Sequence, residues 1–233
     1  MGRSWTGMWD SAHGWQASRP SIASTMLGAP GCTTGIAAAL MHDVAHAGLM
    51  PLFTFGHGTA SRDQLLQLLN TAMIRELVDV RTAPGSRRNP DVARQAMARW
   101  LPEHHIGYRW ERRLGGWRKA PPDSPDTGLR NRSFAGYAAH MRTGEFLDAI
   151  RDLLGGSHNR ATTVLCSESV WWRCHRRMIA DFVVLSAQMP VFHLMHDGRL
   201  HEHRPTEVAR LRSDGLLVYD GAAPQRQLTL LPG

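Results

Sequence analysis

Three cysteines are too few for a disulfide framework, which places the chain by default in a reducing, cytoplasmic compartment. No apolar run approaches the ~18 residues that a membrane span needs, so no membrane partner is expected. The N-terminus lacks the basic stretch, apolar core and cleavage site of a secretory signal. Lysine is almost missing: Lys119 is the only one, and every other basic side chain is an arginine. GC-rich codon usage accounts for such a bias, while guanidinium forks that grip phosphate or carboxylate would exploit it. The net charge of +7 is a modest excess, and no Arg/Lys run forms a basic stripe. Nucleic acid is therefore only weakly supported as a partner. With 42% hydrophobic and 20% charged residues, a collagen-like or wholly disordered chain is excluded. The 233 residues suffice for one well-buried domain with some spare length.

That spare length falls at the N-terminus. Residues 1–49 hold Trp5, Trp9 and Trp15 and two small, polar stretches broken by Gly and Pro, SRPSIAST and GAPGCTTG. Only IAAALMHDVAHAGL could make a short helix there, and Cys32 has no assigned role. Patterning begins at Met50, so 1–49 reads as a poorly ordered or mis-called extension and 50–233 as a single α/β domain. Within the domain, strands and helices alternate. PLFTF is a buried strand, and Ser61 with Gln64 forms a capping box ahead of Leu65, Leu68, Leu69 and Ala72 at helical spacing. ELVDV follows as a strand, then a helix DVARQAMARWL with Asn89-Pro90 as its cap and first-turn proline, then the strand IGYRWE. A loop of about twenty residues from Arg113 to Ser133 is long enough to be functional or mobile. Phe146, Ile150, Leu153 and Leu154 mark another helix, followed by strand ATTVLC, helix RRMIADFVVLSA and strand VFHLM. Ser213-Asp214-Gly215 turns a C-terminal hairpin. Such alternation predicts a mostly parallel sheet with helices on both faces.

Ligands bind such sheets beyond the carboxyl ends of the strands. The polar residues that follow the strands gather on that edge: His57 and Thr59 after the first, Asp79, Arg81, Ser86, Arg87 and Arg88 after the second. Cys166 ends a third, with Glu168 beyond it, and Arg173, Cys174, His175 and Arg176 open the next helix. A cysteine at a strand end, facing a helix N-terminus among arginines, is where a thiolate is stabilised. A phosphatase loop would carry Arg six residues after the Cys, but that position is Trp172, and the glycines that let backbone amides converge are absent. Cys174-His175-Arg176 also matches the tripeptide of DNA alkyltransferases, without their preceding proline or a helix-turn-helix pattern. A metal could take Cys166, Glu168, Cys174 and His175, with His57, although the tight spacing of zinc motifs is missing. Equally, buried cysteines can be packing residues. Asp79 and Arg81 could be an internal ion pair or share a ligand. Trp117, Arg118 and Lys119 could form a lid or a solvated turn. Tyr137 and His140, one helical turn apart, could face one pocket. His193, His196, His201 and His203 read as surface or tail residues.

Taken in order, FGHGTASRDQLLQLL, LVDVRTAPGSRRNP, LGGWRK, FAGYAAHMRTGEF, LCSESVWWRCHRRMIAD and VFHLMHDGRLHEHRPTEVARL resemble the domain-of-unknown-function family numbered 488, found in bacteria and archaea, over residues 52–220. The resemblance marks His57, Thr59, Asp79, Arg81, Pro84, Ser86, Arg87, Cys166, Glu168, Arg173, Cys174, His175 and Arg176 as motif positions. Where the family usually has Ala after the Cys, and an acidic residue and Pro before Trp-Arg-Cys-His-Arg, this chain has Ser167 and Ser169-Val170-Trp171. The family name carries no activity and no cofactor. The expected function is an enzyme acting on a small anionic substrate, a nucleotide or another phosphate- or carboxylate-bearing metabolite. Thr59, Arg81, Ser86, Arg87, Arg88, Arg173 and Arg176 would bind the anion. Cys166 or Cys174 would be the nucleophile, His175 or His57 the acid/base, and Asp79 or Glu168 its orienting partner. The alternatives are a non-catalytic nucleotide or nucleic-acid binding module and a metal-dependent hydrolase.

Overall fold

The computed structural model describes residues 50–86, 88–157 and 159–221. Arg87, the 1–49 extension with its expected helix, and Cys32 lie outside the described residues. The chain runs β1 (Leu52–Gly56), α1 (Arg62–Thr71), β2 (Glu76–Asp79), α2 (Arg94–Glu103), β3 (Gly107–Trp110), α3 (Arg132–Met141), α4 (Gly144–Ser157), β4 (Thr162–Cys166), α5 (Arg176–Ser186) and β5 (Val191–Leu194). Three short strands close it: β6 (Leu200–Glu202), β7 (Ala209–Leu211) and β8 (Leu217–Tyr219). The main sheet has the order β3-β2-β4-β1-β5-β6, with β6 alone antiparallel, and β7-β8 is the expected C-terminal hairpin. The fold is thus α/β, mostly parallel, with helices on both faces.

Alternation along the strands sorts side chains between the two faces. Phe53, Phe55, Leu77, Leu165 and Phe192 pack with Leu65, Leu68 and Leu69 of α1 and Met97, Trp100 and Leu101 of α2. Leu52, Val78, Val164 and Val191 point the other way, onto Tyr137 of α3, Phe146, Ile150 and Leu153 of α4, and Met178, Ile179 and Val183 of α5. Each such side chain, taken from water to near-zero exposure, contributes about 1.5–3 kcal/mol. β1 and β4 are buried along their whole length because they are central and covered on both sides.

Local chemistry explains the helix starts. Ser61 caps α1 through the Gln64 amide at 3.3 Å, while the Gln64 side chain accepts the Ser61 N–H at 2.9 Å. The expected cap of α2 differs: Asn89-Pro90 opens a separate 3-10 turn, Pro90–Val92, and the helix starts only at Arg94. Ala93 is extended, with ψ at 145°, so the proline turn cannot run on into the helix. The loop before α2 is instead pinned by Asn89, whose side-chain amide donates to the Ala60 carbonyl at 2.9 Å. β6 had no sequence pattern of its own and forms by pairing with β5.

Two histidine expectations are corrected. His193 and His203 are buried, at 1% and 4% exposure, whereas His196 and His201 are exposed as expected. His193 lies opposite Thr54 of β1 in parallel register, and Thr54 Oγ1 donates to its Nδ1 at 2.6 Å. His193 Nε2 then meets His203 Nδ1 at 2.9 Å, and His203 Nε2 meets Asp181 Oδ1 at 2.9 Å. Thr206 and the Tyr219 hydroxyl donate to Asp181 Oδ2 at 2.8 and 2.9 Å. A continuous hydrogen-bonded chain therefore ties β1, β5, α5 and the hairpin together, and every member has a partner, as buried polar groups require.

Candidate functional site

Register brings the strand ends to one edge. Gly56 pairs with Cys166, and Asp79 with Leu165. The ladder continues past the strands: the His57 N–H donates to the Cys166 carbonyl at 3.0 Å and the Gly58 N–H to the Ser167 carbonyl at 2.9 Å. Two glycines make room for the loop after Cys166. A Cβ on Gly56 would occupy the place of the Glu168 carbonyl, and one on Gly58, whose φ is +53°, would strike Ser169 Oγ. Arg176 is almost wholly buried and spends its guanidinium on this loop, donating to the Glu168 carbonyl and, at 2.9 Å, to the Ser169 carbonyl. A 3-10 turn, Trp171–Arg173, then swings the chain back, with the Trp171 indole stacked on His193 at 4.0 Å.

This folding-back places Cys166, Cys174 and His175 together. His175 Nδ1 lies 3.8 Å from Cys166 Sγ and 3.7 Å from Cys174 Sγ, and the three atoms all fall within 4.8 Å of one another. Both thiols are free and buried. The Cys174 thiol donates to Cys166, and this bond, with His175 and Arg176, holds the Cys166 thiol well below its ordinary range despite burial. Cys174 is correspondingly pushed well up, first by the same bond and then by burial. The two thiols are thus driven apart, Cys166 becoming the easier of the pair to deprotonate and Cys174 the harder.

The walls around His175 come from the long loop and α3. A Cβ on Gly116 would lie 2.5 Å from His175 Nδ1, so the Gly115-Gly116 turn closes directly over the imidazole. Tyr137 presents its ring to His175 at 5.0 Å, and its hydroxyl donates to the Leu114 carbonyl at 2.9 Å. His140 Nε2 reaches the Arg113 carbonyl at 2.7 Å, and Gly136 leaves space for the Arg118 carbonyl. Tyr137 and His140 therefore hold the turn that covers the site. The nearby Trp117 is 78% exposed. His175 Nε2 is buried with no hydrogen-bond partner among the described residues.

A second cluster lies beneath. Arg81 grips Asp79 with Nε at 2.8 Å and a terminal nitrogen at 2.5 Å, donates to the Val92 carbonyl at 2.8 Å, and meets His57 Nε2 at 3.2 Å. Tyr108, which sequence reading did not single out, donates to Asp79 Oδ2 at 2.7 Å. His57 Nδ1 donates to the Gly58 carbonyl at 2.9 Å, so both ring nitrogens are engaged. Burial and the Arg81 charge push its pKa down and keep it neutral. Asp79 and Arg81 are buried, at 0% and 4% exposure, as an internal ion pair. The remaining candidates are peripheral: Thr59, Arg88, Glu168 and Arg173 are exposed, and Ser86 Oγ accepts the Asn89 N–H at 2.9 Å.

The Cys166, Cys174 and His175 donor set also suits a metal. Tetrahedral zinc bound by one thiolate and one imidazole puts S and N about 3.5 Å apart, close to the 3.7 and 3.8 Å here. Glu168 and His57 lie outside that trio.

The architecture and site define an α/β protein whose parallel sheet carries a thiol–imidazole centre at its carboxyl edge. The chain belongs to the family described as Domain of unknown function DUF488, whose model matches residues 61–183. The match includes Asp79, Arg81, Cys166, Cys174 and His175, while His57 and Thr59 precede it. No curated protein and no solved structure matches the chain.

Proposed function

We propose that the protein is an enzyme that uses the Cys166 thiolate as a nucleophile on a small anionic substrate, a nucleotide or another phosphate- or carboxylate-bearing metabolite. The observation that carries this reading is the convergence of two sulfurs on His175 Nδ1 at the edge where parallel sheets take ligands. Cys166 attacks, the Cys174 S–H steadies the thiolate, and His175 Nδ1 is the proton carrier for the leaving group. Arg88 and Arg173 are exposed, and in this reading theirs are the guanidiniums that meet the anion. Arg81 and Arg176, bonded internally, act through their positive field instead. The scarcity of cysteine supports a cytoplasmic setting in which both thiols stay reduced.

A second reading rests on the sulfur–nitrogen spacing. A zinc ion on the same three side chains, with an open fourth position for water, would make a metal-dependent hydrolase.

Alkylation by iodoacetamide, followed at Cys166 and Cys174 separately by mass spectrometry across pH, with and without chelator, separates the readings. The thiolate reading expects Cys166 to react fast well below the ~8.5 of a free thiol. Inorganic phosphate should slow that reaction, and Arg173→Ala should remove the protection. Reactivity that appears only with chelator selects the metal. Slow modification of both cysteines in all conditions overturns the thiolate.

A further inference from the structure

Cys174 is a buried thiol that the proposed attack leaves unconsumed, yet its sulfur lies within 4.8 Å of the nucleophilic one. Both sulfurs share one imidazole nitrogen, at 3.8 and 3.7 Å. The segment between them, Ser167–Arg173, folds back through the Trp171–Arg173 turn, so the two cysteines meet without strand rearrangement. Cys166 is the better exposed of the two, at 8% against 4%. To form a disulfide the sulfurs close from a separation within 4.8 Å to ~2.05 Å.

We infer that Cys166 and Cys174 are a redox-active pair: a hydroperoxide oxidises Cys166, and Cys174 resolves the product as an intramolecular disulfide that closes the site. The first step rests on the proposed role of Cys166 as the nucleophile. Cys166 sulfur attacks the peroxide, an S–O bond forms, the O–O bond breaks, and the departing alkoxide or hydroxide takes a proton from solvent. Sulfur is oxidised by two electrons and the peroxide is reduced by two. In the second step Cys174 sulfur attacks the Cys166 sulfenic acid, the S–S bond forms, the S–O bond breaks, and hydroxide leaves with the Cys174 proton as water. The sum is two thiols and one hydroperoxide giving a disulfide, an alcohol or water, and water. A dithiol reductant reverses it. In the disulfide state the nucleophile is gone and His175 Nδ1 has lost both thiol partners. The site is thereby protected from irreversible oxidation as well as switched off.

The test uses the full chain carrying Cys32→Ser, fully reduced, chelator-treated, and exposed to equimolar hydrogen peroxide. The expected product has lost two hydrogens in intact mass, maps to a Cys166–Cys174 crosslink, and is restored by dithiothreitol. Cys174→Ser should lose the crosslink and leave Cys166 trapped by dimedone as sulfenic acid, proceeding to sulfinic acid. Cys166→Ser should leave Cys174 reduced. Sulfinic acid at Cys166 in the parent chain without any crosslink overturns the pairing. Oxidation that spares Cys166 in Cys174→Ser overturns the order of steps. Fast low-pH alkylation of Cys166 without a crosslink would sink this inference while leaving the nucleophile reading intact.

Discussion

Residue by residue, the arginines divide into those that build the site and those that could serve it. Arg81 and Arg176 have the sequence signature of anion binders, yet their guanidiniums are occupied by Asp79 and by two loop carbonyls. Arg81→Met would strand Asp79 as an uncompensated buried carboxylate. Denaturant unfolding should show a loss of roughly 3–5 kcal/mol, far more than a surface ligand-binding arginine would give. Arg173→Ala should leave stability within ~0.5 kcal/mol, because the side chain is exposed. The sequence made the placement of these residues legible, since order along an α/β chain decides which strand ends meet. It could not make their partners legible: Arg81 is bonded to His57, 24 positions away, and to the Val92 carbonyl through a loop whose course no local pattern encodes. Tyr108 escaped notice for the same reason, because its bond to Asp79 exists only once β2 and β3 are paired.

At the level of elements, three glycine contacts let the loops close around the thiols. Gly56 admits the Glu168 carbonyl, Gly58 admits Ser169, and Gly116 admits the His175 ring. Gly56→Ala meets main chain rather than a flexible side-chain end, so it should cost ~1–3 kcal/mol in chemical unfolding. It should also slow Cys166 alkylation by displacing the loop. Gly116→Ala should move the alkylation pH profile of Cys166 upward while changing stability less, because the imidazole it meets can turn. The α1 capping box was readable from Ser61 and Gln64 alone, as was the amphipathic α4 from Phe146, Ile150, Leu153 and Leu154. The start of α2 was not, because a proline that fits a first helical turn also fits a free-standing 3-10 turn, and tertiary anchoring at Asn89 decides between them.

For the whole molecule, the buried histidines make stability sensitive to acid. His193 is pushed down to about 2 by burial, with His203 and Arg176 adding to the effect. His57 and His140 are also depressed, chiefly by burial. Each is neutral when folded but binds a proton near 6.5 when unfolded, so their stabilisation is complete above that pH and is lost as pH falls below it. The unfolding free energy should therefore drop steadily between pH 6.5 and 4, by up to about 1.4 kcal/mol per pH unit for each proton taken up on unfolding. His193→Asn should flatten the slope even though it lowers stability at neutral pH. Nothing in VFHLM announced this histidine as internal. Its partner Thr54 becomes a neighbour only through the pairing of β5 with β1, and alternation alone leaves that order open.

The placement of β1 has a consequence for anyone who cuts the chain at residue 61, the N-terminal limit of the family match, and keeps the C-terminal strands. β1 lies between β4 and β5, yet it precedes residue 61 in the sequence. A fragment beginning there would lose its middle plank, leaving two bare rows of amides facing one another across a slot ~10 Å wide. Such rows recruit other chains. The fragment should come out as aggregate, and supplying a synthetic peptide of residues 50–60 during refolding should restore soluble material by filling the slot.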